Sequence, residues 1–393
     1  MIKKHAPYRT KAQHQSKARC WTSPAPKRSF WCGGSGAGSK KKFPSELRLD
    51  IVSGDWVVIA TGRAKRPEMF KSERRRKIEE LPAGKCPFCQ IETQEKPLLI
   101  FSNGKKIEIP KNWTPLEIKK FLTGWTTVVI PNKYPAFISD RSLNAKMEGP
   151  YQIMNAVGLH ELVVTRDHQK SLGQFDTHQI KEVVDAYQSR YLNLMKEPQV
   201  HYVSIFHNHG SEAGASQVHP HSQIAAVPLI DADLRKALSN SQKYFENHQK
   251  CIYCQMNEWE RKKEKRIAFE NEDFLVICPF ASKAAFEVII SPKSHLSYFE
   301  KITEREKLYL SEAFKVALGK LYKALNDPAY NFYLHTAPCD GKNYDFYHWH
   351  WTILPKTATW AGFELGARME ISTIEPEKAA EYLRLQPTHH PPA

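Results

Sequence analysis

Near the middle of the chain, His219-Pro220-His221-Ser222-Gln223 sets two imidazoles and an amide at alternate positions. In an extended strand such positions share one face. Neutral imidazole is a good nucleophile toward phosphorus near neutral pH and needs no separate base. His221 is therefore the candidate nucleophile. Gln223 narrows the chemistry. A histidine there could protonate a leaving group or act on water, whereas an amide can only hydrogen-bond phosphoryl oxygens. The pattern points to a phosphorus-bearing group held on histidine and passed to a second substrate, rather than to hydrolysis.

Around this segment stand two Cys-x-x-Cys pairs, Cys86/Cys89 and Cys251/Cys254. Zinc takes four tetrahedral soft or borderline ligands, and each pair supplies two from one turn. His168 and His219 complete a Cys2His2 set for the first pair, which would anchor the strand of His221. His295 and His348 do so for the second, with His335 as a competitor of His295. Four protein ligands leave no open position, so both zinc ions are expected to be structural. Cys20, Cys32, Cys278 and Cys339 lack comparable partners and read as spare or core cysteines.

Two further stretches could handle phosphate. Asn208-His-Gly210-Ser-Glu-Ala-Gly214-Ala-Ser216 is rich in small residues that let the backbone approach a phosphate, and Ser216 offers a hydroxyl. Arg63-Ala-Lys65-Arg66-Pro67 follows a strand-like run at 56–60, and its arginines could neutralise a diphosphate.

The elements that must position these residues occur twice. Copy one runs from Cys86-Pro-Phe-Cys89 through a strand at 126–130 and a strand at 161–165 to Asp167-His168. A helix at 176–196 follows, with apolar spacing at Ile180, Val183, Val184, Tyr187 and Tyr191 and an Asp176/Gln179 capping box. Then come a strand at 200–206 and His219-x-His221. Copy two repeats the order: Cys251-Ile-Tyr-Cys254, strands at 274–278 and 286–290, His295, a helix at 303–325 with a Thr303/Glu306 box, a strand at 330–334, and His348-x-His350. A longer stretch around 98–125 has no counterpart in copy two and reads as an insertion. The repeated order indicates duplication. Strands outnumber helices, so the expected class is α+β, two tandem repeats each with a mostly antiparallel sheet and one long helix. The expected division is a tail at 1–43, a first domain at 44–230 and a second at 231–393.

Composition removes other classes. The 393 residues suffice for two ordinary domains. The sequence has no apolar run of the roughly 18 residues that spans a membrane and no signal-peptide pattern, which predicts a cytoplasmic protein. The net charge of +15 suggests nucleic acid, but residues 1–43 hold eleven Lys/Arg and no Asp or Glu. Subtracting those eleven leaves +4 for the body. A zinc-stabilised nucleic-acid-binding protein is therefore the weaker alternative, and the tail reads as a disordered basic extension.

Together these residues resemble the galactose-1-phosphate uridylyltransferase family of the histidine-triad superfamily. The likeness runs from about residue 45 to 385. It is carried by Glu46-Leu-Arg-Leu-Asp-Ile-Val-Ser-Gly-Asp-Trp56, Arg63-Ala-Lys-Arg-Pro67, Cys86-Pro-Phe-Cys89, Asn132-Lys-Tyr-Pro135, Gly158-Leu-His-Glu161, Asp167-His168 and the His219–Gln223 segment. The resemblance implies His221 as nucleophile and Gln223 beside it. It implies nucleotide and phosphate contacts from Arg63, Arg66, Asn208, Gly214 and Ser216, zinc at Cys86/Cys89/His168/His219 and at Cys251/Cys254/His295/His348, and a homodimer. The implied reaction is ping-pong: UDP-glucose gives its uridylyl group to histidine, and galactose 1-phosphate takes it up. One departure stands at Phe363-Glu-Leu-Gly366-Ala-Arg368-Met-Glu-Ile, where the family's hexose-holding glutamate and glutamine fall out of register. The chain is also similar to ADP-glucose phosphorylases, in which inorganic phosphate is the acceptor.

Overall fold

The computed structural model describes residues 45–61, 65–71, 82–109, 114, 117, 120, 122–140 and 142–387. The basic tail and Arg63 lie outside the described residues. Sixteen strands are described: β1 Glu46–Leu49, β2 Trp56–Ile59, β3 Leu99–Ser102, β4 Lys105–Ile107, β5 Thr127–Pro131, β6 Lys146–Glu148, β7 Tyr151–Ile153, β8 Leu159–Thr165, β9 Tyr202–His209, β10 His221–Val227, β11 Ile267–Glu270, β12 Phe274–Ile277, β13 Val288–Pro292, β14 Tyr330–His335, β15 His350–Pro355 and β16 Ile371–Ser372. The helices are α1 Thr177–Leu194, α2 Ala232–His248, α3 Ile252–Lys263, α4 Glu304–Leu325, α5 Gly362–Ala367 and α6 Pro376–Arg384.

Eleven strands form one sheet in the order β11-β12-β13-β15-β14-β9-β10-β8-β5-β3-β4, with every neighbouring pair antiparallel. Outward from the β9/β14 seam the two halves repeat each other: β9-β10-β8-β5-β3 on one side, β14-β15-β13-β12-β11 on the other. The duplication is thus fused into a single sheet, where the sequence suggested one sheet per copy. The stretch around 98–125, expected to be an insertion throughout, begins with β3, the counterpart of β11, and adds only β4 at the copy-one edge.

One face of the sheet carries both long helices. Asp176 caps α1 by accepting from the Gln179 amide at 2.8 Å, and Gln179 returns the bond. Thr303 and Glu306 repeat this at α4. The apolar stripe of α1 (Ile180, Val183, Val184, Tyr187, Tyr191) meets that of α4 (Leu310, Phe314, Ala317, Leu321) and the sheet residues Ile205, Ile224, Phe332 and Trp351 in one core. Burying one such side chain, Phe314 for instance, contributes about 1.5–3 kcal/mol. A buried ion pair, Arg190 to both oxygens of Glu161 at 2.6 and 2.7 Å, locks α1 to β8. The opposite face is left for the site.

Two differences from the sequence reading have local causes. Strand β13 starts at Val288 rather than at 286, because Phe286 has φ of +64° and breaks the extended run. The second Cys-x-x-Cys is not a bare turn: Cys251 stands at the N-cap of α3 and Cys254 within its first turn.

Candidate active site

On the face away from the helices, β10 presents His221 and Gln223, while Ser222 between them points into the core. Ser222 Oγ bonds the Tyr187 hydroxyl at 2.6 Å and His207 Nδ1 at 3.0 Å. The nucleophile strand is therefore pinned from behind. His221 is buried, and its Nδ1 donates to the His219 carbonyl at 2.9 Å. That bond fixes the tautomer and leaves the Nε2 lone pair free. Burial also holds the imidazole below the ordinary histidine value, with the carbonyl acting weakly in the other direction. The ring is thus neutral at physiological pH. Phe88, from the first Cys-x-x-Cys turn, packs 5.0 Å from it.

His219 joins a quartet with Cys86, Cys89 and His168, whose ligand atoms all lie within 4.8 Å of one another. The separations are 3.5 Å from each thiol to His219 Nδ1, 3.1 Å from Cys89 to His168 Nδ1, and 3.3 Å between the two Nδ1 atoms. Tetrahedral zinc with ordinary Zn–S and Zn–N bonds requires edges of roughly 3.3–3.8 Å. His219 Nε2 donates to the Thr165 carbonyl at 2.6 Å, which turns the Nδ1 lone pair toward the quartet. Cys251, Cys254, His295 and His348 form the matching quartet of copy two, with Cys254 at 3.4 and 3.6 Å from the two Nδ1 atoms. There His295 Nε2 bonds the Asp345 carbonyl and His348 Nε2 that of Pro292. The chemistry and spacing of both sets fit zinc. His335 lies outside the second quartet, its ring stacked 4.8 Å from His350.

The amide of Gln223 is held by a residue that spacing alone did not single out. His160, on β8, donates from Nε2 to Gln223 Oε1 at 2.9 Å, with Asn132 at 3.3 Å from its Nδ1. The Gln223 NH2 is thereby free to donate beside His221. Burial keeps His160 below the ordinary histidine range, partly offset by the Gln223 bond. The only hint in the sequence was its place in Gly158-Leu-His-Glu161. Gly158 itself is required by proximity, since a Cβ there would stand 2.7 Å from the Ala226 carbonyl oxygen of β10.

Asn208 and the glycine loop are tied across the seam. Asn331 of β14 donates to Asn208 Oδ1 and to the Ala213 carbonyl, both at 2.8 Å. Gly210 and Gly214 have φ of +86° and +84°, a region that favours glycine. Ser216 is exposed beyond them. Arg66 is not with this group. It precedes a 3-10 turn, Pro67–Phe70, whose Phe70 packs 5.5 Å from Phe286 of copy two.

Comparison with known proteins agrees with this geometry. Residues 119–230 match the galactose-1-phosphate uridyl transferase N-terminal domain, and residues 236–391 its C-terminal domain. An ADP-glucose phosphorylase of Arabidopsis thaliana is 31% identical over 359 residues, covering 90% of this chain and 95% of the relative. A galactose-1-phosphate uridylyltransferase of Thermotoga maritima is 29% identical over 350 residues, covering 86% and 98%. The crystal structure of an ADP-glucose phosphorylase from Arabidopsis thaliana with bound ADP-glucose superposes with a TM-score of 0.70 at 27% identity, over 87% of this chain and 99% of that one. A uridylyltransferase structure does so at 0.63 and 28%, over 86% and 97%. Fold and site together define a nucleotidyltransferase built of two histidine-triad-like halves. The chain belongs to the galactose-1-phosphate uridyl transferase family.

Proposed function

We propose that the chain moves a nucleotidyl group from a nucleoside diphosphate hexose to a phosphate-bearing acceptor by way of His221. The supporting observation is the setting of this ring: Nδ1 bonded to a carbonyl, Nε2 free, and the Gln223 amide alongside. In the first step Nε2 attacks the α-phosphorus. The bond to the bridging oxygen breaks, and hexose 1-phosphate leaves with the electron pair. The new imidazolium keeps its Nδ1–H on the His219 carbonyl. In the second step an acceptor phosphate oxygen attacks the same phosphorus and the neutral imidazole returns. Gln223 donates to the phosphoryl oxygens throughout, with His160 orienting it; Asn208 near the end of β9 and the Gly210–Ser216 loop, with its Ser216 hydroxyl and backbone N–H groups, add further contacts.

Zinc bound by the two quartets would supply structural anchoring, and the first would brace the strand of His221 directly. Arg63 and Arg66 belong to a segment whose described part, through Phe70, packs on copy two. A homodimer in which the partner chain brings this segment to His221 accounts for their role, and dimerisation is part of the proposal.

The first reading of the substrates is UDP-glucose with galactose 1-phosphate. A second, ADP-glucose with inorganic phosphate, is favoured by the 31% identical phosphorylase and by the late loop. That loop, in α5, lacks a glutamate and glutamine in register and exposes Phe363 and Leu365. Single-turnover release of glucose 1-phosphate from each nucleotide sugar decides between them. A burst of one equivalent per chain with one donor supports that reading; no burst with either overturns both.

A further inference from the structure

The face that carries His221 runs unbroken across the seam into copy two, and the register identifies equivalent positions. Gln223 lies opposite Leu162 on β8 and Phe206 on β9. Thr352 lies opposite Ile289 on β13 and Tyr333 on β14. His350, two residues before Thr352, therefore occupies the place of His221. Its Nδ1 bonds the His348 carbonyl at 3.3 Å, as His221 does that of His219. Tyr253 packs 5.0 Å from it, the distance at which Phe88 packs on His221.

These residues do not close on one another. They line a cavity of about 730 Å³, walled by His350, Thr352, Tyr333 and Tyr253 and bounded on other sides by residues 49–53, α2 and α3. That volume lies within the range of small-molecule sites and well above that of a packing defect. Its chemistry has two parts. Tyr253, Tyr333, Trp259 and Phe280 give flat aromatic surface. Lys263, Lys265, Lys283 and Arg266 bring cationic groups to a lining that also holds Asp50, Asp233 and Glu260; Arg266 is paired with Glu260 at 2.7 Å, and Lys263 lies over the Trp259 ring at 4.8 Å. The left-handed Phe286 turns the chain so that Glu287, next to it, also reaches the lining.

We infer that this cavity is a second nucleoside monophosphate site, which binds its ligand reversibly and does not transfer it. Aromatic walls suit a base, the lysines suit a phosphate, and the sheet platform is that of the His221 site. What copy two lacks is the transfer machinery. Thr352 replaces the Gln223 amide, and the segment following β14 lacks the paired glycines of positive φ that shape the loop at 210–216.

The test is equilibrium dialysis of the zinc-loaded full-length protein against AMP, UMP and glucose 1-phosphate, with two variants. Lys283→Ala removes an ammonium group from the lining, and Ala237→Trp fills the cavity from α2. The wild type is expected to bind two equivalents of AMP or UMP per chain. Each variant should lose one equivalent, or bind it at least tenfold more weakly, while still forming a normal covalent adduct on His221. Photolabelling with 8-azido-AMP should mark the peptides of Tyr253 or Tyr333 in the wild type and not in Ala237→Trp. One equivalent only, or a second equivalent unaffected by both variants, overturns the inference. So does binding of glucose 1-phosphate to the cavity without either nucleotide. These outcomes leave the transfer proposal standing, because that proposal fails on the His221 adduct alone.

Discussion

Replacing His160 by phenylalanine tests how the Gln223 amide is aimed. The ring keeps its approximate volume, 6.4 Å from Phe137, but the Nε2–H that Gln223 Oε1 accepts at 2.9 Å is gone. Leaving a half-buried acceptor unpaired costs about 1–3 kcal/mol. The amide can also turn over and present oxygen, not NH2, to the phosphoryl group. If the loss falls on the transition state, each 1.36 kcal/mol is tenfold in rate, so adduct formation should slow by about 5- to 150-fold. Stopped single-turnover mixing with intact-protein mass spectrometry reads this rate directly. The decisive comparison is made in Gln223→Ala, where His160→Phe should add little because its target is absent. A full rate in His160→Phe would refute the reasoning, as would costs that simply add in the double variant.

Other expectations follow from the same geometry. Purified protein should hold about two zinc ions per chain. Cys86→Ser should cost more activity than Cys251→Ser, because only the first quartet contains a residue of the strand leading to His221; equal losses with the fold retained would contradict this. Gly158→Ala should destabilise by about 1–3 kcal/mol and slow transfer, since its Cβ collides with the β10 backbone; a neutral urea midpoint would count against it. Glu287 is fully buried, and this lifts its carboxyl from 4.5 to about 7, against the opposing effect of the Lys283 backbone N–H and ammonium. The folded chain then keeps a proton that the unfolded chain releases, so stability falls as pH rises from 4.5 to 7 and levels off above. At about 1.4 kcal/mol per pH unit this amounts to about 3 kcal/mol. Glu287→Gln should lack that slope and gain stability at pH 8; parallel pH profiles for the two proteins would contradict it.

The repeated order of motifs made the duplication legible, and the Cys-x-x-Cys and histidine spacing named two quartets that the fold brings together. The α1 and α4 boxes were equally plain, since helix spacing and capping are local. What escaped was set by partners distant in sequence. Nothing in β9 or β14 alone says that their edges pair across the seam, because edge pairing depends on which strand topology leaves exposed. The His160–Gln223 bond is 63 residues long in sequence, and only the β8/β10 register creates it. The cavity beside His350 depends on α2 and α3, whose amphipathic spacing says that they pack but not which strands they face. Nothing near Arg66 in sequence announces that Phe70, four residues on, packs against Phe286 of copy two. Among the described residues no helix is long and apolar enough to cross a membrane.

The central claim is a covalent nucleotide on His221. The zinc-loaded protein should be mixed with UDP-glucose and, separately, with ADP-glucose, without acceptor, then digested and mapped by mass spectrometry under conditions that preserve phosphoramidate bonds. A uridylyl or adenylyl mass is expected on the peptide containing His221, released when hexose 1-phosphate or phosphate is added. No such mass is expected in His221→Asn, with zinc content and fold unchanged. An adduct of normal yield in His221→Asn, or turnover without any adduct in the wild type, would contradict it.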